Sequence, residues 1–235
     1  MNLQGVNMYT YNANKKTCLS VLLMLALLIF CVGCDKKEQA TEEEKKEIIK
    51  TYSIVTDKTL SETEIDKLVA VLSDRVYYYD IKGKVSLKEQ DEKGNPFIEI
   101  SVAYGTDEAA FDKLTCQGKL QFISGYSTET EEIWLDNNNI NTVEAKTVQD
   151  LYTDYIVQIV FDKTGSEMFE ECTTELTGEQ LYIVYDGEVL ISPTISEPVP
   201  DGVVIINNFE SFEAAEEFAM TVGSGCLDYK IENVD

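Results

Sequence analysis

A chain with no histidine lacks the commonest general base and the commonest zinc ligand. Carboxylates and thiols are what remain for chemistry. Asp186 and Glu188 stand close enough to suggest paired acid–base work. They flank Gly187 between two apolar runs, however, and Asp-Gly in that setting is the strongest short hairpin signal, so both read as turn and strand-start residues. Glu170-Glu171 and Glu216-Glu217 read as solvated helix faces. The run Asp136-Asn-Asn-Asn139 offers oxygens but lacks the spaced Asp/Asn–Gly–Glu order of an EF-hand, and reads as a polar turn. The expectation is no catalytic residue, no metal site and no cofactor.

Six cysteines divide into two groups. Cys18, Cys31 and Cys34 fall in or beside an N-terminal apolar run, leaving Cys116, Cys172 and Cys226. An odd number cannot all pair within one chain, and none of the three has C-x-x-C spacing, so neither a redox motif nor zinc is indicated. They read as small buried hydrophobes, with one disulfide among them as the competing reading.

The 235 residues carry a formal charge of −24, with 26% charged and 44% hydrophobic residues. That composition folds rather than staying disordered and suits one domain or two small ones. So negative a surface repels phosphate backbones, which argues against nucleic acid as a partner.

The elements that must position these groups begin with an address. Lys15-Lys16 precede an apolar run over residues 18–32, which as a helix would reach roughly 22 Å, short of the ~30 Å hydrocarbon core. A basic start, a short apolar stretch and small Gly33 make a secretory signal over residues 1–33. Gly33-Cys34 resembles the lipobox of bacterial lipoproteins, although Cys31 stands where that family usually has Leu. The resemblance implies cleavage before Cys34, diacylglycerol on its sulfur and anchoring at the outer face of the cytoplasmic membrane; an uncleaved anchor is the alternative. Residues 34–46 are a charged linker.

Beyond the linker a first strand is expected near residues 48–55. Ser61 and Glu64 form a capping box, and Ile65, Leu68, Val69, Leu72 and Val76 follow at helical spacing. A strand over 97–104 comes next, then a helix through Ala109, Ala110, Phe111 and Leu114 with Thr106 as its cap, then a strand over 119–124. This β-α-β-α-β order predicts helices on one side of a mainly antiparallel sheet. A second unit starts after Gly125. Residues 131–141 read as polar turns around Ile133, Trp134 and Leu135, and 154–161 as a strand buried on both faces. A helix over 166–176, a hairpin turning at Asp186-Gly187, a strand over 202–208, a helix opened by Ser211 and a closing strand over 226–231 complete the chain.

Three segments resemble SecD, the export-translocase subunit, in its first extracytoplasmic domain. Leu72, Arg75-Val76, Asp80-Ile81 and Val85 carry the first. The helix from Asp107 to Asp112, followed by Leu120 and Phe122, carries the second. The third and longest runs through Val157, Phe161, Gly165, Phe169, Thr173, Leu181, Tyr185-Asp186-Gly187, Ile191-Ser192-Pro193, Gly202, Ala214-Ala215 and Ser224-Gly225-Cys226-Leu227. Asp80 stands where the family has Gly, and Asp tolerates the left-handed conformation such a cap needs; Asp228 stands where it has Pro. The resemblance implies an α+β fold of two small subdomains, a ferredoxin-like base (47–125, with 226–235 returning to it) and an inserted α+β head (126–225). It implies a non-catalytic module that binds unfolded polypeptide or assists the export translocase. The chain ends at Asp235, before the family's membrane helices, so proton-driven activity is not expected of it. The alternative is a structural docking protein for a membrane complex with no client. Trp134, Tyr182 and Tyr185 are the candidate contact residues of the head, because aromatic side chains are enriched at contact hot spots.

Overall fold

Residues 46–149 and 153–234 are described by the computed structural model; the signal segment, Cys34 and nearly all of the linker lie outside the described residues. The elements are β1 (Glu47–Ile54), α1 (Glu62–Tyr78), β2 (Gly83–Gln90), β3 (Pro96–Ala103), α2 (Ala109–Thr115), β4 (Leu120–Ser124), β5 (Glu132–Asp136), β6 (Ile140–Gln149), β7 (Thr153–Phe161), α3 (Lys163–Glu175), β8 (Tyr182–Tyr185), β9 (Glu188–Ile191), β10 (Val203–Ile206), α4 (Phe212–Gly223) and β11 (Ile231–Asn233).

Local chemistry accounts for the helix starts. Ser61 Oγ accepts from the Glu64 N–H while the Glu64 carboxylate takes the Ser61 N–H at 2.8 Å, closing the expected capping box. Asp162 caps α3 through the Gly165 N–H at 2.7 Å, three residues earlier than the apolar stripe alone suggests. Ser211 caps α4. Thr106 does not cap α2: its hydroxyl donates to the Ala103 carbonyl at 2.7 Å, and Asp107 takes the Ala109 N–H instead. Asp80 follows α1 at φ 50°, the left-handed conformation its position requires.

Four antiparallel strands in the order β11-β1-β3-β2 make the first sheet. With α1 and α2 this is a βαββαβ ferredoxin-like arrangement whose last strand comes from the far end of the chain. The strand period of two puts Ile98, Ile100 and Val102 on one face, all fully buried against Leu72 of α1 and Phe111 and Leu114 of α2. The intervening residues build two further sheets, β10-β7-β6 and β5-β4-β8-β9, around a second core. Phe122, Phe161 and Phe169 meet edge-on or tilted at its centre, with ring centroids 5.1–6.1 Å apart. β7 is the central strand of its sheet, paired at both edges. Of its two faces, one buries Val157, Ile159 and Phe161, whereas Gln158 and Val160 opposite are only half-buried, short of the two-faced burial expected.

Several placements differ from expectation. The strand expected over 119–124 does not join β1 and β3; as β4 it pairs with β5 and β8, and β11 takes the fourth place in the first sheet instead. β2 is an additional strand whose apolar content is only Val85 and Leu87, which suits its place at a sheet edge. β5 arises within the stretch 131–141 read as polar turns, whose true turn is the 3-10 turn Asn137–Asn139 capped by Asp136. β6 is a further strand running mostly through residues to which the sequence reading gives no element. The closing strand lies later than the expected 226–231: residues 226–230 form no strand, and Ile231–Asn233 pair with β1. Cys116, Cys172 and Cys226 are all free thiols.

Candidate functional site

Of the two neighbouring acids at the hairpin, Asp186 has no free carboxylate to offer, in keeping with its reading as a turn residue. Its two oxygens accept from the N–H groups of Gly118 (3.2 Å) and Lys119 (2.7 Å), and its own N–H donates to the Lys119 carbonyl. With Asp186 at φ 48° and Gly187 at φ 87° the turn is the type I′ hairpin that Asp-Gly forms most readily. Asp136 serves its own turn through the Asn138 N–H at 2.8 Å. Among the described residues no group of three or more His, Cys, Asp or Glu could hold a metal ion.

The three candidate aromatic residues do not share a surface. Trp134 is the extra residue where β4 and β5 shift register, and its indole N–H donates to Ser124 Oγ at 3.0 Å. Tyr185 turns inward onto the Phe218 ring, 4.9 Å between centroids, and burial raises its hydroxyl well above the ordinary tyrosine range. Tyr182 lies on the opposite sheet face, its ring 5.6 Å from Tyr126 and its hydroxyl bonded to Gln180.

A cleft of about 590 Å³ opens elsewhere, between β6 and α4. Residues 140–145 line it consecutively. Successive strand residues point to opposite faces, so a cleft touching all of them runs along the strand's edge. Among the described residues that edge is open: β6 is paired to β7 alone. Val143 and Ala145 of β6 and Ala219 and Val222 of α4 supply apolar lining, Glu144 and Glu216 add acidic oxygens, and Tyr78 joins the lining from α1. An open strand edge with an apolar groove beside it can take an extended chain by strand addition, with alternate side chains of the guest entering the groove.

Beside this cleft lies a residue that residue-by-residue reading of the sequence leaves unassigned. Arg75 falls on the buried stripe of α1 next to Leu72 and Val76 and is fully buried. A cation inside an apolar helical stripe was the available signal. Its guanidinium reaches Leu114 O, Cys116 O, Gln117 O, Gly225 O and Ser224 Oγ, all of them backbone carbonyls except the last.

Fold and site together define a two-core α+β module: a ferredoxin-like sheet with a second α+β unit inserted before its final strand, and an open-edged cleft on the insert. Comparison with known proteins agrees. The family described as SecDF, P1 head subdomain, matches residues 122–229. Protein translocase subunit SecD of Acidaminococcus fermentans is 34% identical over 80 residues, covering 34% of this chain and 19% of that protein. SecD of Calditerrivibrio nitroreducens is 31% identical over 150 residues, covering 64% of this chain and 28% of that protein. The matched region thus spans a small part of these relatives. A solved structure of SecDF, described as a membrane component that enhances protein export, superposes with a TM-score of 0.65 at 20% identity over 80% of this chain and 98% of that one. SecDF in its super-membrane-facing form gives a TM-score of 0.68 at 18% identity over 85% of this chain and 32% of that one. The fold is that of the SecDF extracytoplasmic region, and the SecD proteins are homologues of part of this chain. No helix among the described residues is long and apolar enough to cross a membrane.

Proposed function

We propose that this chain is an extracytoplasmic, non-catalytic module that binds unfolded polypeptide in the service of protein export, held at the outer face of the cytoplasmic membrane by lipid on Cys34. In this reading the ferredoxin-like core is the base, the inserted residues are the head, and the cleft along β6 is the polypeptide site. The observation that carries it is the one-sided pairing of β6 beside an apolar groove. Main-chain bonds to an open edge read no side chains, which suits a protein that meets many sequences. The formal charge of −24 favours basic segments and opposes self-association.

The test is titration of the detergent-solubilised full chain with a fluorescent, permanently unfolded basic polypeptide. Saturable binding that weakens with salt, and weakens further in a Glu144→Lys, Glu216→Lys variant, supports the reading. Absence of saturable binding, with a stable membrane-protein partner recovered from detergent extracts, overturns it in favour of structural docking.

A further inference from the structure

We infer that Arg75 is the positioning residue that pins the two cores together and so sets Tyr78 of α1 against the cleft of the inserted core. The chain passes between the cores twice, outward after α2 and back after α4, and both passages end on this one side chain. Nη1 donates to the carbonyls of Leu114 (2.9 Å) and Cys116 on the outward passage. Nη2 bridges the two passages, donating to Gln117 O (3.0 Å) on one and Gly225 O (3.1 Å) on the other. Nε donates to Ser224 Oγ at 3.2 Å, whose hydroxyl passes on to Thr221 O inside α4. Every N–H of the guanidinium is thus engaged, and no carboxylate is among its partners.

A planar fork of five donors can serve two strands at once; a lysine ammonium, with three donors on one atom, cannot span them. The surroundings are shaped to admit it. Gly118 sits at φ 68°, and a Cβ there would fall 2.6 Å from Nη2 and 2.9 Å from Thr221 Cγ2. The Leu227 N–H donates to Gln117 O at 2.8 Å, so the passages also grip each other.

The pin lies next to the cleft. One turn on from Arg75, Tyr78 lines the cleft from α1, and Gly225, whose carbonyl Arg75 holds, is a lining residue as well. The guanidinium thus fixes where Tyr78 stands against that cleft, alongside the contacts that Tyr79 and Lys113 make with Glu217 and Thr221 of α4. The consequence for binding rests on the polypeptide reading above; the coupling of the cores does not.

The experiment unfolds the full chain in denaturant and follows two probes. Trp134, the single tryptophan, reports the inserted core. Amide exchange in β3 reports the ferredoxin-like core. The two transitions coincide in the natural protein and separate in Arg75→Lys, and the unfolded polypeptide binds Arg75→Lys at least tenfold more weakly under native conditions. A purely structural arginine would instead lower both transitions together, and coincident transitions in Arg75→Lys overturn the inference. Separated transitions with unchanged binding keep the pin and overturn its link to the cleft. If Arg75→Lys does not fold, Gly118→Ala, which crowds the guanidinium without removing it, is decided by the same pair of probes.

Discussion

The Asp186 carboxylate holds the Lys119 N–H at 2.7 Å, joining the β8–β9 turn to the first residues that leave the ferredoxin-like core. An acid that could be mistaken for half of a catalytic pair instead satisfies two backbone donors that would otherwise go unpaired. Asp186→Ala removes a charged acceptor from both donors and places a Cβ residue of ordinary preference at φ 48°. The expected loss is about 3 kcal/mol, roughly 2 for the hydrogen bonds and about 1 for the backbone. Asp186→Asn keeps the tolerance for left-handed backbone and one acceptor, and should lose only about 1 kcal/mol. Urea denaturation followed at Trp134 measures both.

Acid stability should depend on Glu64. The Lys58 ammonium first, then the Tyr229 hydroxyl at 2.6 Å and the Ser61 N–H, hold its carboxyl far below the ordinary value of 4.5. A carboxyl depressed on folding adds stability that is complete above the unfolded value and is lost as pH falls below 4.5 toward the folded value. Glu64→Gln lacks this contribution at every pH. The gap in urea midpoint between the natural protein and Glu64→Gln should therefore close as pH drops below 4.5; a constant gap would refute the assignment.

What could be read from the residues was short-range. The Ser61–Glu64 box, the Asp186-Gly187 hairpin, the Ser211 cap and the strand β7 each depend on a few neighbouring residues, and each stands where its pattern puts it. The misplaced parts depend on distant pairing. Leu120–Ser124 has the same alternation whichever sheet it joins, and only its pairing with Tyr182–Tyr185 decides. β6 was hidden because an edge strand facing solvent carries Thr, Glu and Lys as readily as a loop does. The cleft needs β6 and α4 side by side, so no local pattern encodes it. Arg75 left a trace, a cation on an apolar stripe, but which carbonyls it would meet is a property of the two passages alone.

Alkaline stability should be limited in part by Cys172. Full burial in the inserted core pushes its thiol from 9.0 to about 12. The unfolded chain ionises this thiol above pH 9.0 while the folded chain keeps the proton to about pH 12. The native state then binds more protons, so stability is complete below 9.0 and falls as pH rises between the two values. Cys172→Ala should be less stable at neutral pH because of the cavity it leaves, yet show a shallower decline above pH 9.0. Thiol reagents should label Cys172 only after unfolding, which mass spectrometry of the labelled peptides would show directly.

Gly223 offers a way to separate binding from folding. It ends α4 on the cleft, and a Cβ built there meets nothing nearer than Val143 Cβ at 4.0 Å. A larger side chain would fill the groove from this wall, its first atom already at van der Waals distance from Val143 of β6. Gly223→Leu also removes a glycine from a helix, a change that stabilises by roughly 0.5–1 kcal/mol where the backbone permits it. The two effects have opposite signs: the urea midpoint should rise while affinity for unfolded polypeptide falls at least tenfold. Most substitutions that abolish binding also weaken the fold, and this one cannot be explained that way. Binding that survives a filled groove would place the polypeptide elsewhere on the molecule, with the outward face bearing Tyr126 and Tyr182 the next surface to probe.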